Sequence, residues 1–196
     1  MKKHIITFFL IMTYSLKLCA SPTLDGMISQ MIMVGFNGST LEDKWVKQIA
    51  LDIEKERIGG VLLLGRNITS SPQLKTLTSH LHAQAKGLPL LIAVDQEGGR
   101  VARLDAMKGF VSFPSAYEVA NTMTLEEAKV TYRAMAKLLK EHHINYDLAP
   151  VVDIAQENSP IIGQKERSFS AYANTVSVYA RVFVDAFFEE KVLTSL

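Results

Sequence analysis

The chain has 196 residues, of which 48% are hydrophobic and 21% are charged, and its formal net charge at pH 7 is +1. This composition is typical of a globular domain with one sizeable core, and it excludes a disordered or low-complexity chain. The charge is close to neutral and both signs are interspersed, which argues against nucleic acid as a partner.

The first twenty residues have the pattern of a secretory signal. Lys2 and Lys3 provide a positive start, Ile5–Met12 forms a short apolar run, and Ala20 is a small residue suited to cleavage. A membrane anchor is the alternative, but the run is too short to span a bilayer. We therefore expect residues 1–20 to be a signal peptide, the protein to be periplasmic or extracellular, and the processed chain not to stay inserted in a membrane.

Strand and helix patterns alternate along the rest of the chain. Short apolar runs predict five strands, at Met31–Phe36, Val61–Leu64, Leu90–Val94, Tyr146–Val152 and Val192–Leu196. Capping residues and apolar spacings predict the helices between them, with a short one at Thr23–Gln30 and longer ones that start at Thr40, Ser71, Thr124 and Ser170. Trp45, Ile49 and Ile53 are spaced by four and indicate the buried face of the first long helix. Phe110–Tyr117 predicts a loop, because Pro114 interrupts it.

Alternating strands and helices indicate a parallel sheet that is covered by helices. An open doubly wound sheet and a (β/α)8 TIM barrel both fit this pattern. The first predicted strand is not followed by a glycine-rich phosphate loop, since Gly35 and Gly38 are too sparse for one. Polar residues cluster instead after the third and fourth strands, which favours the barrel. A complete barrel takes roughly 250 residues, so we expect residues 21–196 to hold its first half, with four strand–helix units and the start of strand five.

Residues 95–103 form the most informative stretch, because acids, glycines and arginines follow directly after the third predicted strand. In a barrel the carboxyl ends of the strands carry the ligand site. We expect Asp95 at the tip of this strand, where its carboxylate can accept hydrogen bonds from two neighbouring hydroxyls of a sugar. Arg103 can donate a rigid fork of hydrogen bonds to a ligand oxygen.

The middle of this stretch predicts a tight loop. Gly98 and Gly99 allow the backbone to turn sharply and to approach a ligand closely. Glu97 and Arg100 are expected to pair with each other or to hold the loop. The alternative is an ordinary surface turn with an ion pair, which contributes little to stability.

The order of residues in this loop is more specific than its composition. Residues 95–101, Asp-Gln-Glu-Gly-Gly-Arg-Val, resemble the N-terminal signature of family 3 glycoside hydrolases, in the β-N-acetylhexosaminidase branch. Three other stretches resemble the same branch in the expected order, at Gln30–Phe36, Leu148–Asp153 and Ile162–Phe169. The resemblance covers residues 24 to 196.

The resemblance implies a TIM-barrel enzyme that removes terminal non-reducing β-linked N-acetylglucosamine and retains the anomeric configuration through a covalent glycosyl-enzyme. By resemblance, Asp95, Arg103 and Arg167 fall on the family's sugar-binding aspartate and arginines. Asp153 falls on a supporting position after the fourth strand, and residues 97–100 support the loop. No cofactor and no metal site are expected.

Two departures from the family pattern affect these expectations. In the family, three features follow the fifth strand: a lysine–histidine motif, an acid/base histidine and a nucleophilic aspartate. We therefore expect them beyond Leu196 and assign no catalytic residue. We do not expect activity from residues 1–196 alone. The muropeptide-recycling members are cytosolic, whereas this chain has a signal pattern. The expected substrate is therefore an aminosugar-containing glycan or muropeptide outside the cytosol.

Two other functions stay open at this point. One is a β-glucosidase of the same family, because the residues that recognise an acetamido group are expected mostly outside this chain. The other is a half-barrel that binds sugar without catalysis and self-associates through its open sheet edges, since unpaired strand edges readily pair with another chain.

Overall fold

The structure is a computed structural model that describes residues 23–156 and 158–196. The predicted signal peptide lies outside these residues. The helices are α1 (Leu24–Gln30), α2 (Lys44–Glu54), α3 (Ser71–Gln84), α4 (Ala116–Thr122), α5 (Leu125–Glu141) and α6 (Ala173–Glu189). The strands are β1 (Met33–Gly35), β2 (Gly60–Leu63), β3 (Leu91–Val94), β4 (Gln96–Gly98), β5 (Val101–Ala102), β6 (Tyr146–Asp147) and β7 (Leu193–Thr194). None of the helices within the described ranges is both long and apolar enough to cross a membrane.

Five strands form one parallel sheet in the spatial order β1-β2-β3-β6-β7, which is also their order along the chain. On β2, Val61 is the register partner of Val34 on β1 and of Ile92 on β3. An open doubly wound sheet reverses its strand order at a switch point, whereas these strands follow one another in a single direction, as in a (β/α)8 barrel. The predicted fold class is confirmed, and the described chain corresponds to the first half of a TIM barrel.

The core lies between this sheet and the helices that pack on it. The strands contribute the fully buried side chains of Val61, Leu63 and Ile92. Helices α5 and α6 pack together through aromatic rings, and the ring centroids of Tyr132 and Phe183 are 4.7 Å apart. Aromatic pairs at this separation stabilise a core beyond the area that they bury. The sheet interior is thus apolar, and the polar side chains collect at the strand ends.

Helix α2 begins later than its sequence pattern predicted. Asp43 is the N-cap in place of Thr40. Its carboxylate does not cap the helix but accepts hydrogen bonds from the backbone N–H groups of Ser39 and Thr40, both at 2.8 Å, which hold the turn before the helix. The expected burial of Trp45 is wrong, since 52% of this residue is exposed. The helix buries a face that includes the other two predicted positions and consists of Val46, Ile49, Ala50 and Ile53.

The sequence pattern missed helix α4 and the hairpin of β4 and β5. Pro114 ends a loop as expected, but the next residue, Ser115, caps α4 by accepting a hydrogen bond from the N–H of Glu118 at 3.1 Å. Strand β6 is shorter than predicted and covers only Tyr146–Asp147. The chain leaves the sheet soon afterwards at Pro150, which has no N–H to donate to a neighbouring strand.

His142 links the end of α5 to the start of α3. The residue is buried, its Nδ1 lies 2.7 Å from the carbonyl oxygen of Leu138, and its Nε2 lies 2.8 Å from the Ser71 hydroxyl. The ring also packs edge-on against Phe110. A neutral imidazole satisfies both contacts, with Nδ1–H donating to the carbonyl and Nε2 accepting from the hydroxyl. Burial lowers the pKa of His142 below its ordinary value.

This pKa shift predicts a loss of stability in acid. Because the unfolded chain takes up the His142 proton at a higher pH than the folded chain, the stabilisation is complete above about pH 6.5 and declines below it. In urea unfolding, wild type should lose more unfolding free energy between about pH 7.5 and pH 5.5 than His142→Gln, which cannot ionise. Equal losses would show that protonation of His142 does not reduce stability in acid.

Candidate functional site

A short hairpin directly follows β3 and carries most of the predicted site residues. Strand β4 runs antiparallel to β5, Gly98 ends β4 and Gly99 begins the turn, with φ of +89° and +55°. The N–H of Gly99 donates to the carbonyl of Phe113 at 2.9 Å. The predicted tight turn is therefore present, and the glycine backbone closely approaches the 113–115 segment, where a side chain at position 98 would collide with the carbonyl of Pro114.

Gln96 holds the two hairpin strands together, and the sequence analysis did not identify it. The residue is fully buried. Its side-chain oxygen accepts hydrogen bonds from the N–H groups of Arg103 and Leu104, both at 3.0 Å, and its amide nitrogen donates to the carbonyl of Leu104 at 3.2 Å. A buried amide with these partners is satisfied, so Gln96 fixes where Arg103 leaves the hairpin.

Asp95 and Arg103 form the first of two arginine–carboxylate pairs. Asp95 lies at the carboxyl end of β3, and its Oδ2 is 2.6 Å from an Nη of Arg103. Both side chains are partly exposed, at 24% and 32%. The Nε–H of Arg103 is buried and has no hydrogen-bond partner within the described residues. The pair therefore keeps an unsatisfied donor next to an accessible carboxylate.

Glu97 and Arg167 form the second pair, across 70 residues of sequence. Nε and an Nη of Arg167 donate to the two carboxylate oxygens of Glu97 at 2.8 and 2.7 Å, which is the two-point geometry of strong arginine–carboxylate pairs. Of the two alternatives for Glu97 and Arg100, pairing with each other is not observed, because Glu97 binds Arg167 instead. Arg100 lies in the exposed turn beyond the two glycines, whereas Glu97 is buried within β4.

The loop that carries Arg167 is held from two sides. The carbonyl of Glu166 accepts a hydrogen bond from the N–H of Tyr117 at 3.3 Å, at the start of α4. On the other side, the Ser168 hydroxyl donates to the carbonyl of Asp153. Asp153 thus supports the loop through its backbone, and its own side chain is exposed.

Negative charges on the hairpin and at Asp153 both act on Arg167. The hydrogen bonds from Arg167 to Glu97 raise the pKa of its guanidinium, and the negative charges of Glu97, Asp153 and Asp95 add to this effect. The structure therefore brings the predicted residues Asp95, Arg103 and Arg167 to one edge of the sheet. It does not place Arg100 in this cluster.

A buried aspartate, Asp147, lies at the same edge and was not predicted. It ends β6, beside β3, and its Oδ1 accepts a hydrogen bond from the N–H of Gln96 at 2.9 Å. Burial raises the pKa of Asp147 well above its usual range, and the charges of Asp95 and Glu97 raise it further. The acidic residue in the short strand Tyr146–Asp147 was the feature of the sequence that could have identified it.

Carboxylate acceptors and guanidinium donors side by side are suited to a neutral polyhydroxyl ligand. A hydroxyl group can donate to an aspartate and accept from an arginine at the same time. Within the two described ranges, no three His, Cys, Asp or Glu side chains are placed to hold a metal ion.

Comparisons to known proteins identify the family of the chain. Residues 23–196 match the model of the glycosyl hydrolase family 3 N-terminal domain. The chain belongs to glycosyl hydrolase family 3. The family resemblance of the loop after β3 is thereby confirmed.

Several proteins that the chain resembles are named as hexosaminidases. A beta-hexosaminidase from Alkalilimnicola ehrlichii is 33% identical over 164 residues, which cover 81% of this chain and 44% of the relative. A beta-N-acetylhexosaminidase from Beutenbergia cavernae, known from its crystal structure, is 29% identical with a TM-score of 0.77, and the match covers 89% of this chain and 53% of that chain. A family 3 beta-N-acetylglucosaminidase from Paenibacillus sp. FPU-7 is 29% identical with a TM-score of 0.79, and the match covers 89% of this chain and 32% of that chain. This chain spans about half the length of the curated relatives that it matches.

The close approach of the hairpin turn predicts a specific sensitivity to substitution. Gly98→Ala and Gly109→Ala both place a side chain at a left-handed backbone position, at φ of +89° and +82°, and each should lose about 1–2 kcal/mol for that reason. Only Gly98→Ala also collides with a backbone carbonyl, whereas position 109 has open space. Urea unfolding should therefore show a total loss of about 3 kcal/mol or more for Gly98→Ala alone. Equal losses in the two variants would contradict the close packing of the turn.

Proposed function

We propose that the intact protein hydrolyses terminal non-reducing β-linked N-acetylglucosamine with retention of configuration, and that the described half-barrel supplies one side of its sugar-binding site. The observation that carries this proposal is the pair of arginine–carboxylate bridges at the carboxyl edge of the sheet, Asp95 with Arg103 and Glu97 with Arg167. The relatives named beta-hexosaminidase support the same substrate class.

Each pair leaves polar atoms available to a sugar. Asp95 uses only Oδ2 in its bridge, and its Oδ1 accepts no hydrogen bond from the described residues. Arg167 uses Nε and one Nη on Glu97, so its second Nη is free within the same residues. In the proposed complex, adjacent sugar hydroxyls donate to Asp95 Oδ1 and accept from Arg167. The unsatisfied Nε–H of Arg103 is a further donor beside this pair.

The charge balance of the site favours a neutral ligand. The bridges of Arg103 and Arg167 compensate the negative charges of Asp95 and Glu97. A phosphate or carboxylate ligand would have to compete with a carboxylate for each guanidinium, whereas a neutral hydroxyl can bind without breaking either pair. A hexose or N-acetylhexosamine fits this requirement.

Hydrolysis with retention needs a nucleophile and a group that acts first as acid and then as base. We assign neither role to a described residue and propose that both come from the part of the family 3 barrel that follows β7. Asp95, Arg103 and Arg167 then act by holding the non-reducing sugar. Binding energy of this kind accelerates the reaction when it is greater in the transition state than in the ground state.

We also propose that the protein is exported and acts on an aminosugar-containing glycan or muropeptide outside the cytosol. The basic start at Lys2 and Lys3 and the apolar run Ile5–Met12 support this proposal. Cell fractionation in the presence and absence of a signal-peptidase inhibitor tests it. Export predicts a processed product outside the cytosol and a longer precursor under inhibition, while an unprocessed cytosolic product would refute it.

Residues 21–196 on their own are proposed to self-associate through the edges of the sheet. In the described chain β1 pairs only with β2, and β7 pairs only with β6. Free strand edges favour pairing with another chain. Sedimentation of this segment should therefore show dimers or larger species, and a soluble monomer with a sharp cooperative thermal transition would contradict the proposal.

The role of Asp95 can be measured by substitution in the intact protein. Asp95→Ala should raise the activation free energy for a chromogenic β-N-acetylglucosaminide by about 3 kcal/mol, roughly a 150-fold loss in kcat/KM, because charge-assisted hydrogen bonds to the sugar are removed. Asp52→Ala is the matched control, since Asp52 also pairs with an arginine, Arg57, but on helix α2. Unchanged turnover by Asp95→Ala would refute the assignment.

The substrate class needs a separate assay. We expect kcat/KM for the β-N-acetylglucosaminide to exceed that for the matching β-glucoside. A preference for the glucoside would identify a β-glucosidase of the same family. Sugar binding without turnover of either substrate would identify a non-catalytic saccharide-binding protein.

A further inference from the structure

Asp147 is the one aspartate of the site that has no role so far. The sequence pattern did not predict it, and it makes none of the proposed sugar contacts. It is held rigidly, because the N–H of Leu148 donates to the carbonyl of Val94 at 2.9 Å and the N–H of Ser195 donates to the carbonyl of Asp147 at 3.1 Å. These bonds tie it to β3 on one side and to the end of β7 on the other. Its carboxyl group is fully buried.

The Asp147 carboxyl group connects the sheet to the hairpin. Its Oδ1 accepts the backbone N–H of Gln96, the first residue of β4, which lies 51 residues earlier in the sequence. Gln96 stands between Asp95 and Glu97, the two carboxylates of the arginine pairs. The hydrogen bond that Asp147 accepts from Gln96 therefore helps to fix where both pairs lie relative to the sheet.

The surroundings of Asp147 disfavour a negative charge. The charged groups that face it are the hairpin carboxylates Asp95 and Glu97, and the cations behind them, Arg103 and Arg167, are already bound to those carboxylates. Among the described residues no Lys, Arg or His forms an ion pair with Asp147, and its Oδ2 is buried without a hydrogen-bond partner. Burial of an unpaired charge is costly, and a buried acid avoids the cost by staying protonated.

We propose that Asp147 is a positioning residue that works as a neutral carboxylic acid, fixing the hairpin and its two arginine pairs for sugar binding. In the neutral form Oδ1 accepts the Gln96 N–H, and the protonated Oδ2 adds no charge beside Asp95 and Glu97. Loss of the proton places a third negative charge among two carboxylates that share two guanidinium groups. Either arginine is then drawn from its partner or the hairpin moves away from β6, and in both cases the sugar site loses its geometry.

The consequence for binding rests on the proposed function and is tested in the intact protein. Calorimetric titration with N-acetylglucosamine at a series of pH values from about 5 upward should show that wild-type affinity falls about tenfold or more once the pH exceeds the raised pKa of Asp147. Asp147→Asn keeps an acceptor for Gln96 and cannot ionise, so its affinity should change less than about twofold over the same range. Asp185→Asn, at an exposed site on α6, is the control and should follow the wild-type profile. A purely structural role predicts the same pH profile in all three proteins, and that result would overturn the inference.

A second measurement separates this inference from the proposed function. Folded Asp147 keeps its proton above the ordinary aspartate pKa, so raising the pH from about 4 should destabilise wild type relative to Asp147→Asn. The difference in unfolding free energy, wild type minus variant, should therefore fall with pH and level off above the folded pKa. A difference that is constant from about pH 4 to pH 8 would overturn the inference. If wild type binds no N-acetylglucosamine at any pH, the proposed function fails, and this stability difference alone decides the role of Asp147.

Discussion

The bridge between Glu97 and Arg167 is the contact on which the candidate site depends. It joins a hairpin after β3 to a loop that the chain reaches only after two more helices and another strand. Two parallel hydrogen bonds between charged groups fix distance and orientation together. Without this bridge the Arg167 loop would depend on weaker contacts between uncharged groups, such as those of Ser168 and of the start of α4.

The fold explains why such a distant pair can form. Strands β3 and β6 are adjacent in a parallel sheet, so the segments that follow them leave at the same edge. The hairpin must still pack tightly there, and this requires the glycine at position 98, because any larger residue would meet the carbonyl of Pro114. Backbone packing therefore brings the two segments together, and the charged pairs orient their side chains.

The sequence predicted those features that depend on neighbouring residues. The parallel strands, the helix start at Thr124 and the position of Asp95 at a strand end follow from local patterns, and all three are present. The pairing of Glu97 with Arg100, one of two alternatives for this loop, does not form, because the glycine turn directs Arg100 outward. Asp147 was missed because its importance comes from a hydrogen bond to a residue 51 positions away. Long-range pairing of this kind leaves no periodic signal in one sequence.

Asp95 and Asp147 show how one strand edge can use two aspartates differently. Asp95 is partly exposed and has a guanidinium partner, so it can carry a negative charge and accept hydrogen bonds from a ligand. Asp147 is buried and has no cationic partner in the described chain, so the neutral form is favoured and it can serve only the backbone beside it. Neighbouring carboxyl groups in unlike surroundings commonly divide their roles in this way. If both carried a charge, this edge of the sheet would hold more negative charges than its two arginines can balance. Neutrality of the buried aspartate is therefore what allows the exposed one to remain available to a sugar.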